Sequence, residues 1–360
     1  MRIKKERKLK GKKPNKRGSL DTLSQAIQIN QTWRISKAMV FLWLLLPVGS
    51  CKQTPTPAKP KKEKTRLTQE KALEYFHINQ DIRLKDYLPY MDSVATVLDS
   101  SEGGELMEYF LVLTNPWVLD TLQSKDYYTL MGKGIFVYDE NEEIILHKGD
   151  SLLVPDLIQR AELKKKLSQT LIDVNIPEYR LRIIEAGQTI YQIDVRVGRD
   201  EHKFLKEAGR IVELQTPVGK GEVVRIERDP WYQNPVTGKR YITSRRDDGN
   251  QTKMAKVPFI EPTIDGRRQG SLLHPTTNSV TLGKAYSNGC VGMTEANMWL
   301  VYYHAPLGTK VNFRYDLKVA GPTGDSIQFP DIYHLGPSIE TQSNLVNEKQ
   351  KDETNKGSRK

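Results

Sequence analysis

Two side chains in this sequence could form a nucleophile and its base. Cys290 stands in Ser287-Asn288-Gly289-Cys290-Val291-Gly292-Met293, and Ser287 follows His274, the nearest histidine before the motif, by thirteen residues. A thiol attacks an acyl carbon as thiolate, which requires a neighbouring base or a positive field. Gly289 lets the backbone approach a substrate carbonyl, and the N–H groups of Gly289 and Cys290 could form part of an oxyanion hole. On these residues alone, a core cysteine beside a surface histidine fits equally well. The other histidines, His77, His147, His202, His304 and His334, are scattered without ligand spacing, so neither a metal nor another cofactor is expected. His304, near a helix end, reads as a partner of the helix dipole.

The elements around this pair can be read from periodicity. Leu181 and Ile183 alternate with Arg180 and Arg182, Ala186-Gly187 marks a turn, and Ile193, Val195 and Val197 alternate with polar residues. That is a β-hairpin with one buried face. Further strands are expected at 222–228 and 309–315, and a helix from Thr294 to before Pro306 carries Met298, Val301, Tyr302 and Ala305 at helical spacing. Residues 229–270, rich in Pro, Gly and charge, interrupt the pattern and suggest a lid or a surface insertion. Upstream, 66–171 reads as a mostly helical accessory domain. One helix is expected through Phe76, capped by Thr68. Another begins at Pro155 and carries Leu157, Ala161, Leu167 and Leu171, and a β-pair is expected at 132–138 and 143–146. The fold class is therefore α+β: a mainly β domain at 172–318 behind a helical one. Residues 319–360 form a C-terminal tail, disordered towards its end.

Charge is segregated. The chain carries a net +11, yet residues 1–65 hold 17 Lys and Arg against Glu6, Asp21 and Glu63, so the remainder is mildly acidic. No basic stripe suited to nucleic acid is present beyond the arm. Within 1–50, Arg34 and Lys37 precede the apolar run 39–48, then Val48-Gly49-Ser50 and Cys51. This run is short for a membrane span and has the order of an export signal. Its spelling resembles a lipoprotein box, which implies lipidation at Cys51, a lipid anchor and a place on the periplasmic side of the bacterial envelope. The leader before it is long, and a translation start further along would give an ordinary signal. Residues 51–65, rich in Pro and Lys, read as a tether. With Cys51 lipidated, Cys290 is a lone exported thiol.

The motif around Cys290 resembles the signature of the L,D-transpeptidase (YkuD-type) catalytic domain, Ser/Thr-His-Gly-Cys-hydrophobic-Arg-Met, and its distance from His274 matches. Asn175-Ile-Pro-Glu-Tyr-Arg-Leu181, Val197-Gly-Arg199, Thr216-Pro-Val-Gly219, Asp229-Pro-Trp-Tyr-Gln-Asn-Pro235 and Leu307-Gly-Thr-Lys-Val311 extend the resemblance over 172–317. It implies a β-sandwich-like domain that makes 3→3 cross-links between peptidoglycan stem peptides through a cysteine thioester. With water as acceptor, the same chemistry trims tetrapeptide stems; a weakly active wall-binding lipoprotein is the non-enzymatic alternative. The resemblance makes Cys290 the nucleophile and His274 the base. Gly289 and Cys290 supply the oxyanion backbone, and Ser287 and Asn288 shape the turn. Tyr286, Gly292 and Trp231 are expected to meet substrate. Three positions depart from the pattern: Pro275 follows the histidine, Asn288 replaces a second histidine, and Gly292 replaces the arginine. Arg267, Arg268 or Lys284 are the expected substitutes for that cation. Papain-like peptidases place Cys before His, and sortases have a longer gap with an arginine soon after the cysteine, so neither fits.

Overall fold

The computed structural model describes residues 73–102, 106–206, 208–234, 236–321 and 324–336. The leader, the tether, Cys51 and the end of the tail lie outside these residues. All described residues fall in one compact unit.

The centre is a nine-stranded mixed sheet. Its strands run Val291–Met293, Leu273–Pro275, Phe259–Ile264, Gly219–Glu227, Lys310–Arg314, Thr170–Asn175, Arg180–Glu185, Gln188–Asp194, with Arg267–Arg268 paired to Phe259–Ile264. The expected hairpin is present, and its turn residues Ala186 and Gly187 both take positive φ (48° and 83°), the twist that a two-residue hairpin turn requires. Alternation buries Leu181 and Ile183 on one face. The chain leaving the last strand then returns to the first: Arg196 and Gly292 exchange both backbone hydrogen bonds, at 2.8 and 2.9 Å. The sheet thus curls until its ends meet, bringing the hairpin exit to the strand that follows Cys290.

One helix, Glu295–His304, holds the rest together. Thr294 caps it through the Asn297 N–H, as read from the sequence. It is apolar on every side, with Met298, Trp299, Leu300, Val301, Tyr302 and Tyr303 all buried, the mark of a helix enclosed by packing on all faces. It packs on the strands Leu273–Pro275 and Phe259–Ile264 and on the helices Glu108–Thr114 and Pro116–Ser124. Trp299 meets Tyr87 edge to face, and Tyr303 and Tyr87 share a hydroxyl hydrogen bond of 2.8 Å. Residues on both sides of position 171 therefore contribute to one hydrophobic core.

Upstream of the sheet the described residues are mostly helical, with five α-helices among them from Leu84 to Ser168. Asp156 caps Leu157–Ser168 in a capping box with Gln159. Three local expectations are corrected. Residues Glu74–His77 form a strand paired with Ser151–Val154 rather than the end of a helix, because four residues gain more from a partner strand than from one helical turn. Ile144–Leu146 is a strand, but its partner is Ile82–Arg83; residues 132–138 have no strand, and Ile135, Phe136 and Tyr138 are exposed. Leu171 belongs to the first strand of the sheet, not to the preceding helix.

Residues 229–270 are ordered by short strand pairs at Tyr232–Gln233 with Arg240–Tyr241 and at Thr243–Arg245 with Gln251–Lys253. Between the last two strands Arg246 turns inward, 2% exposed, to ion-pair with Glu140 (3.3 Å) and Glu295 (3.0 Å), its guanidinium 4.3 Å from the Tyr127 ring centre. Burial pushes both carboxyls up, and Arg246 opposes it. The middle of the segment is thereby fastened to the helical region and to the central helix at once.

Candidate active site

His274 lies on one strand and Cys290 immediately precedes the neighbouring one. The strands Leu273–Pro275 and Val291–Met293 run parallel, with His274 in register with Gly292, and the Val291 N–H extends the ladder to the Leu272 carbonyl (2.8 Å). Registered residues point to one face and the face repeats every second residue, so Cys290, two before Gly292, shares the face of His274 as its diagonal neighbour. Both are half-buried. The Cys290 thiol lies 3.8 Å from the Gly270 carbonyl, so the end of the 229–270 segment reaches that thiol.

The imidazole is oriented by the residue that departs from the family pattern. His274 Nδ1 lies 2.7 Å from the Pro275 carbonyl oxygen. A carbonyl only accepts, so Nδ1 carries the hydrogen and the lone pair is on Nε2. Proline has no N–H to give, but this contact needs only its carbonyl. Burial, reinforced by the Arg196 charge and opposed by the Pro275 hydrogen bond, lowers His274 from its ordinary 6.5 to about 4. It is a neutral base at pH 7.

The turn that carries Cys290 is held from three directions. Ser287 Oγ donates to the Cys290 carbonyl (2.6 Å) and accepts the Gly289 N–H (3.2 Å), closing the turn on itself. Gly289 takes φ +102°, which a side chain would strain. Thr216 Oγ1 accepts the Gly198 N–H (2.8 Å) and donates to the Gly289 carbonyl (3.2 Å). The Tyr333 hydroxyl donates to the Gly198 carbonyl (2.6 Å) and accepts the Thr216 N–H (3.1 Å). Asn288 Oδ1 accepts from Arg199 Nη2 at 2.6 Å, so the residue in place of the second histidine is a clamp for the turn.

Of the expected residues, then, Cys290, His274, Ser287, Asn288, Gly289 and Gly292 come together. Tyr286 is 52% exposed on the neighbouring strand Ala285–Ser287 and within electrostatic reach of Arg196. Trp231, 57% exposed, stacks under Arg240 and has no recorded contact with the pair among the described residues. Arg268 is committed to Glu261 (2.5 and 2.9 Å). The side chain that lies over Gly292 is that of Arg196, which sequence spacing did not reveal. Tyr128 was also unforeseen. Its single hydroxyl proton is shared between the Asp247 carboxylate and the Thr277 carbonyl, both at 2.7 Å, and Asp247 holds Ser279 and the Val280 N–H, bracing the loop after His274. Among the described residues no cluster suited to a metal occurs.

Residues 169–313 match the family model of the L,D-transpeptidase catalytic domain, YkuD. This segment is an L,D-transpeptidase catalytic domain. Solved structures similar to the chain include an L,D-transpeptidase from Xylanimonas cellulosilytica (16% identity, 68% of this chain and 99% of that one, TM-score 0.30). Another is from Mycobacterium smegmatis (13% identity, 41% and 58%, TM-score 0.28). A third is the LD transpeptidase LdtMt1 in complex with imipenem (14% identity, 41% and 59%, TM-score 0.29). The chain thus spans less than two thirds of the last two proteins. No curated protein matches it.

Proposed function

We propose that the domain transfers an acyl group between peptidoglycan stem peptides through a thioester on Cys290, forming 3→3 cross-links. The observation that carries this reading is the tautomer of His274: Nδ1 is occupied by Pro275, and Nε2 is a neutral base on the face of Cys290. In the first step Nε2 takes the thiol proton and Sγ attacks the carbonyl of the third residue of a donor tetrapeptide. The peptide C–N bond breaks, and the departing D-alanine amine takes the proton back from His274. The amine of a second stem then attacks the thioester and gives a proton to His274, Sγ leaves as thiolate and recovers that proton from His274, and a new amide remains. Because the Gly289 N–H is donated to Ser287, the oxyanion role falls to the Cys290 N–H. Lipidation of Cys51 would hold this chemistry on the periplasmic side of the envelope.

Incubation of the purified protein with disaccharide-tetrapeptides, followed by mass spectrometry, tests the proposal. Loss of D-alanine with new dimers, absent in Cys290→Ala, is expected. Trimmed monomers alone would mean that water is the acceptor, and a chain that binds stems but forms no thioester and no product would overturn the enzymatic reading.

A further inference from the structure

Position 292 is a glycine with a neighbour in the space its side chain would occupy. A Cβ there would lie 2.6 Å from Arg196 Nε, 2.9 Å from Cγ and 3.2 Å from Cδ. The Arg196 stem therefore lies over Gly292 on the face that carries His274 from one side and Cys290 from two residues back, pinned by the double backbone bridge. Its Nη1 reaches Thr281 Oγ1 at 3.3 Å, while its buried Nε has no acceptor among the described residues. Among the described residues no carboxylate ion-pairs with Arg196; the ionisable groups within its electrostatic reach are Cys290, Tyr286, Tyr128 and His274. A half-buried guanidinium with no ion-pair partner among the described residues is poised to interact with an anion that forms beside it.

We propose that Arg196 is the positioning cation of the Cys290–His274 pair, delivered from the hairpin exit into the space vacated at Gly292, where it stabilises the attacking thiolate. This rests on Cys290 being the nucleophile and goes beyond it by assigning the charge that activates it. Loss of the side chain at 292 and its replacement by Arg196 are then one exchange, made across two bridged strands. A cation beside a thiolate lowers the pH at which the thiol ionises, and removing it reverses the shift.

The test is the pH dependence of Cys290 alkylation by iodoacetamide, which needs no peptide substrate, measured beside stem turnover and thermal unfolding. Arg196→Gln is expected to raise the alkylation midpoint by about one unit and slow the reaction roughly tenfold at neutral pH, with Arg196→Lys restoring most of it. Gly292→Arg alone is expected to be disruptive, since the new side chain meets Arg196. Arg196→Ala with Gly292→Arg is expected to return the midpoint towards that of the parent. A folded Arg196→Gln with an unchanged midpoint overturns the proposal. If Arg196→Gln does not fold, a folded double variant whose midpoint stays raised overturns it equally. Normal alkylation shifts without any stem turnover would leave Arg196 in its role and count against the transpeptidase reading alone.

Discussion

His274 is a half-buried, neutral imidazole, and this predicts a specific weakness towards acid. Its affinity for a proton falls from an ordinary 6.5 to about 4 on folding, first through burial and then through the Arg196 charge. The unfolded chain therefore binds more protons than the native one between those values. Native stability is fully present above pH 6.5 and is lost as pH falls through 4. A single group with this displacement costs about 1.4 kcal/mol by pH 5.5 and about 3 kcal/mol by pH 4. Glu108 works in the opposite sense. Burial, opposed by Arg228, raises its carboxyl to about 7, so its contribution is full below its unfolded value of 4.5 and is lost as pH rises through 7. A raw stability profile mixes the two, and the comparison that isolates His274 is the parent chain against His274→Gln. Urea unfolding of both at pH 7, 5.5 and 4 should show the parent losing about 3 kcal/mol more than the variant across that interval. The same neutral base predicts that the acid limb of kcat/KM lies near 4 rather than 6.5. Parallel stability profiles for the two chains would refute the account of a half-buried neutral imidazole.

Arg246→Met should cost about 3 to 5 kcal/mol at neutral pH, because Glu140 and Glu295 would lose their shared counter-charge, and the loss should shrink in acid as those raised carboxyls protonate; urea titration at two pH values checks both. Tyr333→Phe deletes the hydroxyl that joins the Gly198 carbonyl to the Thr216 N–H, so about 1 to 3 kcal/mol of stability and part of the Cys290 alkylation rate should go together. Gly198→Ala would place a methyl 2.0 Å from the Leu214 carbonyl oxygen and 2.6 Å from the Thr216 nitrogen, both backbone atoms. It should lower the melting temperature and misplace the nucleophile turn; a parent-like melting temperature with parent-like alkylation would contradict the close approach.

What the sequence determined by itself was whatever lies within a short window. The Thr294 cap, the Ala186-Gly187 turn, the alternation at Leu181 and Ile183, and the spacing from His274 to Cys290 are local patterns, and each is present in the structure. The weak local signals failed where partners were distant: Glu74–His77 chose a strand because Ser151–Val154 was available, and Ile144–Leu146 paired with Ile82–Arg83. Residues 319–360 read as a tail, yet Tyr333 is 3% exposed and closes the hydrogen-bond circuit of the Cys290 turn. The departures at Pro275, Asn288 and Gly292 were equally visible in the chain, but not their consequences. Those depended on a carbonyl, on Arg199 and on Arg196, and the two arginines come from a hairpin exit far away in sequence. Strand closure brings that exit to the nucleophile, because backbone pairing between the two ends of a curled sheet is set by the whole fold and leaves no periodicity in either segment.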